Sequence, residues 1–255
     1  MIVELFGPPG VGKTTLARAV TFRLRGRGYM AELKLSYRPN EHRPGFLSSG
    51  ADAEQHPNAV VERLSRSVAE MFAIARHPFA NSRDLKTAAT LVKQLPPTRL
   101  FSAIKSSQYL ARLSHSWHEA SNVTHVVLFD QAFVQAVCSL AMTAGVSDDS
   151  LISNALDYVP KSDLLIRLAA PPDVLEARLK ERRRQQGAIE QLFERDLDAS
   201  LASAQLLDRL HDLLLRRGRL VLRASSLDRR SLSEVVDTIE HKIVEMLESR
   251  DRGAA

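Results

Sequence analysis

The chain has 255 residues, 44% apolar and 25% charged, with a net charge of +5 and a single cysteine. That length lets one α/β domain bury its own core, and one cysteine excludes both an internal disulfide framework and a multi-cysteine metal site. The arginine surplus is dispersed apart from Arg182-Arg183-Arg184, and aromatics are only 5%, which disfavours a base-stacking nucleic-acid surface; small anionic ligands explain the charge at least as well.

The chain starts directly on "IVELF" (2–6), a short buried strand with no basic leader or small-residue cleavage site before it, so a cytoplasmic location is expected. A glycine-rich turn follows, then a helix from about Lys13 to Arg25 whose Leu16, Val20 and Leu24 recur at spacing four. Glycines in "RGRGY" suit its C-cap. "YMAELKL" (29–35) is the second strand candidate, followed by the turn-rich "SYRPNEHRPG". Residues 57–120 read as a helical insert with no strand signal. "THVVLFDQ" (124–131) is a continuous apolar run ending in an acid, as expected for a parallel strand buried on both faces. The surrounding apolar region is broken by Asp130 and Gln131, so no bilayer span or membrane partner is expected. A helix with Val134, Val137 and Ala141 comes next, and Cys138 within it reads as a small core residue.

"SDLLIRLAA" (162–170) repeats the strand pattern and stops at Pro171-Pro172, where a helix can start. That helix runs through "VLEARLKERRRQQG", and two further helical segments cover roughly 188–216. "GRLVLRAS" (218–225) is the last strand. A closing amphipathic helix carries Leu232, Val235, Val236, Ile239, Ile243 and Leu247 on one face, with Ser231 and Glu234 spaced as a capping box. Five strands separated by helices predict an α/β fold with a five-stranded, mostly parallel sheet flanked by helices. The expected organisation is one domain over 1–250 with a helical insert at about 57–120, an arginine-rich lid at about 178–190, and a frayed tail at 251–255.

Gly7, four residues, Gly12, Lys13 and Thr14 form a complete phosphate-binding loop, after a strand and opening a helix as that motif requires. The glycines admit backbone angles that a Cβ would block, and the amides of Gly10, Val11, Gly12, Lys13, Thr14 and Thr15 can converge on phosphate at the positive end of a helix. Lys13 is assigned to the β- and γ-phosphates and Thr14 to Mg²⁺. Asp130, ending a strand expected beside the loop strand, is the second metal-side candidate; it could also cap the following helix. The motif predicts the P-loop NTPase fold, with ATP and Mg²⁺ as ligands.

The remaining motifs narrow the choice. A guanine-reading Asn-Lys-x-Asp is missing, since "PKSD" (160–163) lacks the asparagine and precedes its strand. An AAA+ motor would favour Asp-Glu where this chain has Asp130-Gln131, and would need a further helical lid domain. A transporter ATPase would show an "LSGGQ"-like signature, which is missing. Between Gly7 and Gly12 stand only Pro8, Pro9, Gly10 and Val11, with no cation. Another segment must therefore neutralise the charge that develops on a transferring phosphoryl group. Arg178, Arg182, Arg183 and Arg184 are the densest source, and Arg178 and Arg182 share a helix face; a solvated helix end is the alternative use of these cations.

In this order of parts, loop, strand ending in Asp130, strand before Pro171-Pro172 and arginine-rich helix, the chain resembles the P-loop nucleoside and nucleotide kinase superfamily, its thymidylate kinase-like members in particular. Members often carry Asp-Arg at the third strand's end, with the arginine holding the acceptor; Gln131 stands there in this chain. The resemblance implies phosphoryl transfer from ATP, with Mg²⁺, to a nucleoside, nucleotide or similar metabolite. Lys13, Asp130 and Arg182 would be catalytic, and Arg178 a further nucleotide contact. The acceptor is expected over the carboxyl ends of the strands, where Tyr37, Arg38, Glu41 and Arg43 could meet it; Arg38 and Glu41 are the substrate-binding candidates, and Asp130 or Glu41 could take a hydroxyl proton. In the insert, Arg99, Lys105, Tyr109 and Arg112 read mainly as surface residues, and His77, His115, His118 and His125 as structural. A second copy of the chain is an admissible partner. The alternative function is a nucleotide-switched regulatory or assembly ATPase, in which Gln131 and the helical insert bind a protein.

Overall fold

The computed structural model describes residues 1–35, 82–185, 197–225 and 228–254. Five strands form one sheet: β1 (Ile2–Phe6), β2 (Ala31–Lys34), β3 (Val126–Phe129), β4 (Leu164–Ala169) and β5 (Val221–Ser225). Their spatial order is β2-β3-β1-β4-β5, and every pairing is parallel, with Glu4 opposite Phe129 on one side and Leu165 on the other. This is the five-stranded parallel α/β architecture of the P-loop NTPase fold. Between the strands run α1 (Lys13–Gly26), α2 (Ser82–Gln94), α3 (Leu100–Ser121), α4 (Phe133–Ala144), α5 (Asp149–Asp157), α6 (Pro172–Gln185), α7 (Leu197–Arg216) and, last, α8 (Arg229–Ala254).

Strand alternation divides the core into two layers. Val3, Leu5, Val126, Leu128, Leu164, Ile166 and Leu168 face α1 and α8, where Leu16, Val20, Leu24, Val236, Ile239 and Ile243 complete one cluster. Ile2, Phe6, Val127, Phe129 and Leu165 face the other way and pack with α2, α3, α4, α5 and α7. Trp117 of α3 stacks on Phe129 (centroids 5.2 Å apart) and meets Phe133 edge-on. Cys138 is buried in this second layer and forms no disulfide, as its apolar surroundings predict.

Met1–Ser36 with Arg83–Ala255 form one compact unit; the part of the expected insert (57–120) that precedes Ser82 lies outside the described residues. The later part of that insert is core structure: Leu91, Leu95, Leu110 and Trp117 are at most 5% exposed and pack in the second layer. Periodicity alone reports that these helices have apolar faces, and leaves open which sheet receives them.

Other boundaries move for local reasons. Helix α5 is an element the strand-and-helix reading passed over; Asp148 Oδ1 accepts Ser150 N–H at 2.8 Å as its N-cap, and Arg209–Asp149 and Arg217–Asp157 pairs tie it to α7. Helix α8 starts at Arg229, so Asp228 is the residue that caps it: its Oδ1 accepts Ser231 N–H at 2.8 Å while Ser231 Oγ accepts Asp228 N–H at 2.9 Å. Glu234, expected to close a box with Ser231, instead meets Arg230 at 3.2 Å. The helix continues to Ala254, through the residues expected to fray, with Arg252 Nε donating to Glu248 O and Arg250 paired to Asp163. Among the described residues no helix is long and apolar enough to cross a membrane.

Candidate functional site

The loop from Gly7 to Thr15 leaves the carboxyl end of β1, the middle strand, and turns into α1. Its shape needs glycine at three points: Gly7, where a Cβ would press on the Leu168 carbonyl, Gly10 and Gly12. Gly12 has φ +100°, and Gly10 has φ +77° with Leu179 Cδ2 standing 3.2 Å from where a Cβ would be. The first turn of α1 holds no acid and its N-cap, Gly12, offers no side-chain acceptor. The amides that open α1 are thus left for an anionic ligand.

Lys13, 7% exposed, folds back on its own loop: Nζ donates to Gly7 O at 2.7 Å and to Pro8 O at 3.0 Å. Thr14 Oγ1 donates to Asp130 Oδ2 at 2.8 Å, and Asp130, 2% exposed, is positioned by its own N–H on Lys34 O at 3.3 Å. Thr14 and Asp130 thereby bring two hard oxygen donors together at the mouth of the loop, a donor set suited to Mg²⁺. Thr15 is exposed on the same turn.

Helix α6 lies against this loop. Arg178 Nη1 donates to Val11 O at 3.2 Å, and Leu179 fills the space over Gly10. Of the arginine cluster, the structure brings Arg178 to the loop; Arg184 is exposed and lies 3.8 Å from Glu181. The side chains of Arg182 and Arg183 lie outside the described residues, as do Tyr37, Arg38, Glu41, Arg43 and His77. Gln131 is half-buried beside Asp130, Arg99, Lys105 and Arg112 are exposed, and Tyr109 packs on the second core layer. His115 and His125 meet Glu119 and Glu32 at 3.4 and 3.3 Å. Among the described residues no three His, Cys, Asp or Glu gather as a metal cluster.

Three buried polar residues shape the site from behind. Glu4, in the middle of β1, accepts Val134 N–H at 2.7 Å from the first turn of α4. Burial pushes its carboxyl up to about 8, against the pull of that N–H and of Arg219. Gln135, one residue further along α4, accepts Gly7 N–H at 3.2 Å. Arg167 of β4 lies over Phe6 (5.7 Å to the ring centroid), bonds Leu168 O, and reaches Asp208 at 2.8 Å, leaving Nε without a partner. The first and third had a signal in the sequence: an acid in "IVELF" and a base in "LLIRLA" are charges inside apolar strands. Gln135 had none, because its partner is a backbone amide 128 residues away.

Beside the loop, at the carboxyl ends of β4 and β5, Ala169, Ala170, Pro171, Arg223, Ala224 and Ser225 line a cleft of about 530 Å³. Its β4 side begins next to Leu168, whose carbonyl would stand 2.6 Å from a Cβ on Gly7. Another hollow, of about 350 Å³ between Tyr29 and His125, opens where β2 begins, at the sheet end opposite the loop.

The family model described as "ATPase family associated with various cellular activities (AAA)" matches residues 3–78, the segment that carries β1, the loop, α1 and β2. No curated protein matches the chain. The match covers less than a third of the sequence. It is a likeness in the part that grips phosphate, in a chain whose sheet order and loop geometry agree with it. The loop geometry, the sheet order and this match together give the chain the P-loop NTPase fold.

Proposed function

We propose that the protein transfers a phosphoryl group from ATP to a small-molecule acceptor, a nucleoside, nucleotide or similar metabolite. The observation that carries this reading is Arg178, delivered by α6 to the rim of a phosphate loop that has no cation of its own between Gly7 and Gly12. In the reaction Lys13 exchanges its two carbonyl partners for phosphate oxygens, and the amides that open α1 orient the triphosphate. Thr14 and Asp130 would hold Mg²⁺, which when bound neutralises charge shared between the β- and γ-phosphates. Arg178 is near enough to follow the charge that develops during transfer, and Arg182, one helical turn further on the same sequence face, is the second candidate for that role. The cleft at Ala169–Pro171 and Arg223–Ser225 suits the base and ribose. An acceptor hydroxyl would lose its proton to Asp130 or Glu41, and Arg38 is the candidate for binding the acceptor.

A second reading has its own support: the AAA likeness over residues 3–78 fits a nucleotide-switched ATPase that acts on a protein, with Gln131 and the helical insert engaging the partner. ATP turnover measured against a panel of nucleosides, nucleotides and sugars separates the two. Transfer predicts rapid consumption of ATP only with one class of acceptor, and a phosphorylated product. Slow hydrolysis that ignores every small acceptor and rises with a protein partner would replace the first reading by the second.

A further inference from the structure

Two buried hydrogen bonds clamp the start of α4 to the strand and loop that hold phosphate. Gln135 Oε1 takes the N–H of Gly7, the first loop glycine, and Glu4 Oε1 takes the N–H of Val134. Glu4 is 1% exposed and Gln135 7%. Between β3 and this clamped turn run only Asp130, Gln131 and Ala132, and Asp130 is the residue that meets Thr14. Its backbone is fixed at one end through Lys34 O. The other end runs into Ala132 and Phe133, both fully buried, and then the clamp.

An aliphatic residue at position 4 would bury at lower cost than an acid. The N–H at a helix start can be satisfied by a local cap or by water. A carboxyl reaching from β1 does something those partners cannot, which is to lock the helix start to the strand that delivers the loop. Gln135 repeats the lock one residue later on the loop itself.

We infer that Gln135 and Glu4 are positioning residues that hold Asp130 in register with Thr14 across the loop. This rests on the reading of Thr14 and Asp130 as the metal-side pair. Neither residue needs to touch nucleotide; each acts through backbone it holds.

The test is binding of a fluorescent ATP analogue to the full chain, with Mg²⁺ varied from none to saturating, in Gln135→Met, Glu4→Met and Glu4→Gln. The methionine variants keep volume and remove the acceptor, while Glu4→Gln keeps an acceptor oxygen. We expect the Mg²⁺ concentration for half-maximal tightening to rise about tenfold in both methionine variants, with metal-free affinity within about twofold and Glu4→Gln close to wild type. Amide exchange should quicken at Gly7 in Gln135→Met and at Val134 in Glu4→Met. An unshifted Mg²⁺ requirement, or an equal loss of metal-free affinity, overturns the inference while leaving the metal-side reading intact. A wild-type protein whose nucleotide affinity ignores Mg²⁺ removes that reading itself. Should Glu4→Met fail to fold, Gln135→Met decides alone.

Discussion

The Thr14 hydroxyl and the Asp130 carboxylate, 116 positions apart in the chain, lie 2.8 Å from one another at the carboxyl ends of β1 and β3. The parallel register makes this meeting possible: Glu4 stands opposite Phe129, so β3 ends at the same edge of the sheet from which β1, running on to Phe6, delivers the loop. Asp130→Asn keeps the shape and an oxygen acceptor and removes the charge. Nucleotide binding without Mg²⁺ should then change little, and the extra affinity conferred by Mg²⁺ should fall about tenfold or more. Titrations at fixed nucleotide and variable Mg²⁺ check this; an unaltered metal response would remove Asp130 from the site.

Gly10 carries a double constraint, φ +77° and a neighbour at 3.2 Å. Gly10→Ala should therefore strain the backbone and push Leu179 outward, separating α6 from the loop. Each effect costs about 1 kcal/mol. The expected result is a modest drop in the urea midpoint with a larger loss of nucleotide affinity. Leu179→Ala in the same background should recover much of the affinity, because it vacates the space that the new methyl needs. A double variant no better than Gly10→Ala would mean that backbone strain alone is responsible.

How far the sequence already contained this can be judged residue by residue. The β1–loop–α1 unit is local, so Gly7, Gly12, Lys13 and Thr14 announce it at fixed spacing, and the buried strands "THVVLF" and "DLLIRLA" announce themselves by unbroken apolar runs. Asp130 was legible as the acid ending such a run, since parallel strands bring their carboxyl ends to one edge. What stayed hidden depends on contacts between distant segments. Gln135 looks like any polar residue on a helix until Gly7 is placed beside it. Helices α2 and α3 look like an insert until Leu91 and Trp117 are seen in the core. Of four clustered arginines, only packing separates Arg178, which reaches Val11, from Arg184, which points to solvent beside Glu181.

Arg178→Ala isolates the transfer role of α6. The bond to the Val11 carbonyl is part-buried and Val11 is 1% exposed, so losing it should cost about 1 kcal/mol of stability. If the guanidinium serves the transferring phosphoryl group, turnover with the acceptor should fall about tenfold to a hundredfold while nucleotide affinity stays within about threefold. Arg178→Lys should restore little, because one ammonium replaces neither the fork geometry nor the reach. Equal losses in affinity and turnover would assign Arg178 to ground-state binding instead.

The buried Glu4 carboxyl makes the stability of the fold depend on pH. The group titrates near 8 in the folded protein against an ordinary 4.5 in the unfolded chain. Between those values the folded protein holds a proton that the unfolded chain has released, so the contribution of Glu4 to stability falls as pH rises from about 4.5 and levels off above about 8. Glu4→Gln keeps an oxygen for Val134 N–H and has no proton to lose. Urea unfolding of wild type and variant should therefore agree most closely near pH 5 and diverge toward pH 8.5, with the variant gaining on the order of 4 kcal/mol relative to wild type over that span. Burial between β1 and α4 is what makes the charge expensive, and the field of Arg219 eases it. A constant difference across the range would mean that the Glu4 carboxyl is solvated in solution, and with it the clamp on α4 would be open.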